Sequence, residues 1–195
     1  MLPHLPDFSI KNGILYQVPM NHVLRGFILE TRAGSADSAY VIAFCQPLYV
    51  PREDIMLSFG ERLPRGSALL ARNEIWSFDK ANISDTTSAL AKEVCGRGLK
   101  MLKRYGTPEK IAGSFFLHAS PFQKEAIAYS HALLDHTAEA TTRLQHLLEK
   151  RETQLHAETS ANALTLLRAM KEGHQKVKLL LSEWENRTLS NLGLT

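Results

Sequence analysis

Six cations are the residues most able to do chemistry in this sequence, and the chemistry they point to is binding rather than bond making. Lys92, Arg97, Lys100, Lys103, Arg104 and Lys110 lie in a stretch whose apolar residues recur at helical spacing, so they fall on the outer face of a helix. Such a face is an ordinary solvated helix surface or, where it meets a partner, one that makes charge-assisted hydrogen bonds to the carboxylates of an acidic protein or the phosphates of a nucleic acid. Its position along the chain sharpens the signal. Residues 1 to 83 hold eight basic and eight acidic side chains, residues 121 to 195 hold nine of each, and residues 84 to 120 hold six basic against three acidic. The whole net charge of +3 therefore comes from this one region. The expected contact residues are Arg97, Lys100, Lys103 and Arg104.

Other chemistry-bearing residues form weaker patterns. Glu53, Asp54, Glu61, Glu74 and Asp79 cluster in one irregular stretch and could supply a general acid and base, with His118 as a partner. Because Arg52, Arg62, Arg65 and Arg72 interleave with them, local ion pairing is the simpler reading. Among the eight histidines, His131 and His136 lie five apart and His146 and His156 ten apart. Neither pair has the i, i+4 spacing that sets two ligands on one helical face, so no metal site is expected. His22 and His118 fall in expected loops. Cys45 and Cys95 read as isolated buried thiols, without a disulfide framework or paired ligand spacing. Phosphate-binding glycine loops, nucleophile elbows, the HExxH zinc motif and calcium loops do not occur. No catalytic residue, metal ligand or cofactor is assigned, and enzyme activity is not the leading expectation.

The elements that must hold these residues change in period halfway along the chain. Phe8-Ser9-Ile10-Lys11, Asn12-Gly13 and Ile14 to Val18 form a hairpin signal, because Asn-Gly supplies the two positive φ values of a type I′ turn. A third strand is expected over Leu24 to Thr31, a loop over Ala33 to Ser38, and a fourth strand within Ala39 to Val50. Ala39 to Cys45 is apolar at successive positions, the pattern of a strand covered on both faces. Ile55 to Phe59 and Ile75 to Phe78 are the further strand candidates.

From Ser84 the spacing becomes helical. Leu90, Val94, Met101 and Tyr105 mark one stripe, with Ala91, Cys95, Gly98 and Leu102 beside it and an end near Gly106. Gly98 on the apolar side implies close backbone packing. Thr107-Pro108-Glu109 starts a short helix, and Ser120-Pro121-Phe122-Gln123 is a capping box that opens a helix to about Leu134. Further helices carry Leu144, Leu147 and Leu148, then Leu164, Leu167 and Met170 up to Gly173, then Val177, Leu180, Leu181 and Trp184. The path of residues 152 to 162 is open. The expected fold class is α+β. An antiparallel β-meander over residues 1–83 is followed by a helical region over 84–195 that includes a helical hairpin and packs on the sheet as one unit.

The order of these features resembles a family. An N-terminal strand meander, Ile75-Trp76-Ser77-Phe78, a helix closing on Leu102-Lys103-Arg104-Tyr105-Gly106, and Thr107-Pro108-Glu109-Lys110 together resemble bacterial proteins grouped under a domain of unknown function. Some of those are suspected immunity proteins of toxin systems. The resemblance spans residues 8 to 150 and implies a binding protein, with no catalytic positions to carry over. Glu125 to Tyr129, the break at Asp135-His136 and Ala138 to Ala140 also look like one helical hairpin of the tetratricopeptide kind. A second copy at a period of about 34 residues does not follow.

Three functions follow as expectations. The first is a protein-binding module, in its concrete form an immunity or antitoxin-like protein that neutralises a cognate toxin. An enzyme with a site between sheet and helices is the first alternative, and nucleic-acid binding through the basic stretch 92–110 the second. No apolar run approaches the length of about 20 residues that a membrane helix needs. The N-terminal MLPHLPDFSI lacks a basic region followed by an apolar stretch. A cytoplasmic location without a membrane partner is expected, with the oligomeric state open.

Overall fold

A computed structural model describes residues 5–31, 37–65, 74–149 and 157–195. The expected loop at 33–36, Arg72, and positions 152–156 lie outside the described residues. The fold is α+β, antiparallel strands first and helices after them. Strands β1 (Phe8–Lys11) and β2 (Ile14–Gln17) form the expected hairpin, with Asn12 at φ 51° and Gly13 at φ 76° as a type I′ turn requires. Next come β3 (Val23–Thr31), β4 (Ser38–Pro47) and β5 (Gly60–Arg62), in spatial order β1-β2-β3-β4-β5. Strand β6 (Ile75–Ser77) returns to β4, pairing Ser38 with Ser77 and Tyr40 with Ile75, while β5 takes Ile42 to Phe44.

Strand β4 is buried at every position from Val41 to Pro47, as its unbroken apolar run requires. Trp76 is also fully buried and donates its indole N–H to the Leu63 carbonyl at 2.8 Å. The strand expected over Ile55 to Phe59 is instead a 3₁₀ turn at Leu57–Phe59, and pairing begins only at Gly60. The turn delivers Phe59 to the core, where it is 1% exposed, and leaves the three residues of β5 exposed.

Against β3 and β4 lies a continuous helical segment of three parts: α1 (Ile83–Glu93), a π-helical turn over Val94–Gly98, and α2 (Leu99–Tyr105). Thr86, Leu90, Val94, Gly98, Met101 and Leu102 form its buried side. Gly98 fulfils the close-packing expectation: a Cβ there would stand 2.5 Å from Cε1 of Phe27 in β3 and 3.3 Å from a Leu63 methyl. Cys45 of β4 donates its thiol to the Leu102 carbonyl at 3.5 Å, and the rings of Phe59 and Tyr105 meet at 5.5 Å.

The chain divides into two compact units. One comprises Met1–Gln46 with Phe59–Gly106, and the other Pro47–Ser58 with Thr107–Thr195. The second unit contains α3 (Pro108–Ala112), α4 (Pro121–Leu133), α5 (Thr137–Glu149), α6 (Ala157–Glu172) and α7 (His174–Asn191). Helices α4 and α5 form the expected helical hairpin. Both bonds of the capping box are present, with Gln123 N–H donating to Ser120 Oγ at 3.2 Å and Ser120 N–H to Gln123 Oε1 at 2.8 Å. In α6 the buried positions are Thr159, Ala163 and Leu166. The expected stripe of Leu164, Leu167 and Met170 is displaced by one position, with Leu164 exposed and Leu167 and Met170 half-buried.

Candidate protein-binding face

The four cations expected to meet a partner come together at one end of the segment over β3 and β4. Lys100, Lys103 and Arg104 are exposed on α2, and Arg97 is half-buried in the π-turn just before it. The spacings 97/100, 100/103 and 100/104 are those of adjacent helical turns, so these side chains neighbour one another. Lys92 lies on α1 before the π-turn, and Lys110 on α3 in the other unit. The basic stretch 92–110 is therefore not a single helical face. Gly106 ends α2, and Thr107 with Pro108 restarts the chain as α3, the Thr107 hydroxyl capping the Lys110 N–H.

No carboxylate of the described residues pairs with Arg97, Lys100 or Arg104. Arg104 lies beside the Tyr105 ring, 5.2 Å from its centroid. Like charges one helical turn apart destabilise a helix by about 0.2–0.5 kcal/mol per pair. Attraction to the carbonyl end of α2 offsets this by about 0.3–1 kcal/mol per cation. The cluster is thus tolerable in the isolated chain and gains from any anion brought to it. Its backing is firm, because the opposite side of the helix is fixed at Gly98, Met101 and Leu102.

The π-turn has a further effect. Its i→i+5 geometry inserts an additional residue into the helix, a form that recurs at functional sites. Val94 and Gly98 remain on the buried side while Cys95 and Gly96 stand out. Cys45 is buried as expected, but Cys95 is an exposed thiol. An unbroken α-helical stripe would have set Cys95 at the edge of the apolar side, and the bulge carries it outward.

Of the carboxylates considered for acid–base work, Glu74 and Asp79 have local duties, while Asp54 and Glu61 are exposed. Glu74 and Glu30 flank Arg62 at 3.4 and 3.3 Å, and the same guanidinium stacks on Tyr40 at 3.9 Å. Asp79 accepts from Asn82 N–H at 3.0 Å, from the Asn82 side-chain amide and from the Ser77 hydroxyl. These bonds to the ionised form, those of Asn82 foremost, hold its carboxyl below the usual range. Glu53 is exposed. His118 is also exposed, in the loop between α3 and α4.

Two arrangements carried no sequence signal. In the first, residues 47–58 are tied to the helices of their unit through buried polar groups. Arg52 pairs with Glu125, whose side chain is 0% exposed, and its guanidinium also sits over the Phe122 ring at 5.1 Å. Ser130 donates its hydroxyl to Ala126 O, which leaves its oxygen to accept from Tyr49 Oη at 2.5 Å. Burial pushes the Tyr49 phenol far above its ordinary range. Gln123 donates to Ser58 O, and Asn191 to Arg52 O. The partners lie 65 to 139 residues apart in sequence, beyond any motif.

The second arrangement is at the end of α4, where His131 and His136 meet with their Nδ1 atoms 3.3 Å apart. Spacing on an unbroken helix separates them, but the chain turns at Asp135, whose φ is 62°. Burial, then Arg143 and His136, hold the His131 imidazole below its usual range, against the opposing influence of Glu139 and the Ala112 carbonyl. Among the described residues no group of three or more His, Cys, Asp or Glu side chains is placed to hold a metal ion, and no helix is long and apolar enough to cross a membrane.

Comparison of the chain with protein-family models, with curated proteins and with solved structures finds no match.

Proposed function

We propose that this chain is a protein-binding module whose cations at Arg97, Lys100, Lys103 and Arg104 engage an acidic surface on a partner. The observation that carries the reading is the pairing of Lys100 and Arg104. They are exposed on adjacent turns, without a carboxylate partner among the described residues, on a helix whose other side is locked against the sheet. A rigid cationic surface favours fast, salt-sensitive association with an anionic one. The resemblance of residues 8 to 150 to suspected immunity proteins supports a sharper form, in which the partner is a toxin neutralised in the cytoplasm of a bacterial cell.

Co-expression with the product of the adjacent reading frame tests this directly. The expected result is a complex that survives purification, weakens with salt and is lost when Lys100→Glu and Arg104→Glu are combined. Failure of the unaltered chain to bind or neutralise that product removes the toxin form. Binding to duplex DNA that is abolished by the same two changes reassigns the face to nucleic acid.

A further inference from the structure

The close contact of His131 and His136 follows from the way α4 ends. Asp135 occupies the left-handed position at φ 62°, His136 N–H donates to His131 O at 2.9 Å, and Asp135 N–H donates to Ala132 O at 3.2 Å. This pair of bonds is a Schellman motif, which brings the side chain three positions before the helix cap against the one two positions after it. That contact is ordinarily apolar, whereas here both positions are histidine. The rings lie 5.5 Å apart between centroids, with Nδ1 facing Nδ1.

We propose that His131 and His136 form a two-point binding site for a borderline transition-metal dication, Zn²⁺ or Cu²⁺, held between their Nδ1 atoms. Two nitrogens on adjacent corners of a tetrahedron, with bonds of about 2.0–2.1 Å to zinc, stand roughly 3.3–3.4 Å apart. The observed separation is 3.3 Å. The backbone motif brings the two side chains together, so the ion does not have to gather distant ligands.

The environment of each ring suits the role. His131 Nε2 is enclosed, whereas its Nδ1 is turned to His136. In the neutral ring that carries its proton on Nε2, the Nδ1 lone pair is left for the metal. His136 is exposed and gives the ion its path from solvent. Without metal, one Nδ1 carries the hydrogen shared by the pair. On binding, this hydrogen passes through solvent to Nε2 of the same ring, so two neutral rings take up the ion with no net proton release. No third side chain of the described residues completes the set, so water fills the other positions. Glu139 opposes the positive charge of Arg143 nearby. A bound ion would fasten the end of α4 to the start of α5.

Zinc binding to the full chain, followed by titration calorimetry and by the thermal midpoint, tests the proposal. The unaltered chain should bind one Zn²⁺ saturably at this site and melt at a higher temperature, with no response to Mg²⁺. His136→Ala, at an exposed position, should stay folded, lose the zinc-dependent rise in melting temperature and lose at least tenfold in zinc affinity. His131→Asn provides a second variant should the first misfold. Zinc affinity in both folded variants equal to that of the unaltered chain would place the ion on other histidines and overturn the proposal. So would the absence of any saturable zinc binding.

Discussion

Arg52 and Arg104 are the same residue type in opposite circumstances. Arg52 faces a fully buried carboxylate, lies over an aromatic ring and has its own carbonyl capped by Asn191. Arg104 is exposed on a helix end beside two lysines, without a carboxylate of the described residues. Arg62 resembles Arg52 in kind, since two glutamates and a tyrosine ring surround it, though it is far more exposed. Cations that hold this fold together bring their own anions. Lys100 and Arg104 do not, and this contrast is the reason for assigning them to an external partner.

The contrast breaks or sharpens by substitution. Arg52→Ala leaves the Glu125 carboxylate buried without its counter-charge, and removing one partner of a buried pair costs about 3–5 kcal/mol. A large drop in the urea midpoint is expected, and a shift under about 1 kcal/mol would mean that the pair contributes little. Gly98→Ala follows at about 1–3 kcal/mol, because its methyl overpacks Phe27. Gly96→Ala, where a Cβ would meet nothing within 4 Å, should be neutral or stabilising by up to about 1 kcal/mol. Opposite signs at two glycines of one π-turn, read by chemical denaturation, would confirm which side of the helix is locked.

Smaller effects belong to single hydrogen bonds. Tyr49→Phe removes the bond to Ser130 but leaves that hydroxyl bonded to Ala126, so about 0.5–1.5 kcal/mol should be lost. Smallest is the acid response of Asp79. Its folded pKa lies below its unfolded value of 3.8, so the unfolded chain binds the proton first. Its contribution is therefore complete above pH 3.8 and fades as the pH falls through the lower folded value. Asp79→Asn should flatten the stability profile in that acid window, and an unchanged slope would show that the cap at Asn82 is not responsible.

What could be read from the sequence was local. Asn12-Gly13 specifies its turn, Ser120 and Gln123 specify their capping box, and the apolar run of β4 announces burial on both faces, because each is decided by neighbours in the chain. The cationic cluster was legible as charge imbalance, although Lys110 proved to stand on a separate helix. Longer-range features were not legible. The Arg52–Glu125 contact joins residues 73 apart and no spacing rule anticipates it. A stripe of unbroken α-helix misplaces Cys95, because the π-turn changes the count. The meeting of His131 and His136 depends on one left-handed residue, an aspartate where glycine would have been the recognisable signal.

The assignment of the α2 cations rests on one separation of effects. In a chain carrying both Lys100→Glu and Arg104→Glu, the account requires a denaturation midpoint within about 0.5 kcal/mol of the unaltered protein, as for exposed surface positions. It also requires at least a tenfold loss of affinity for the acidic partner, measured at the same salt. A folded double variant that binds the partner unchanged would contradict it, and so would one that loses stability on the scale expected for Arg52→Ala.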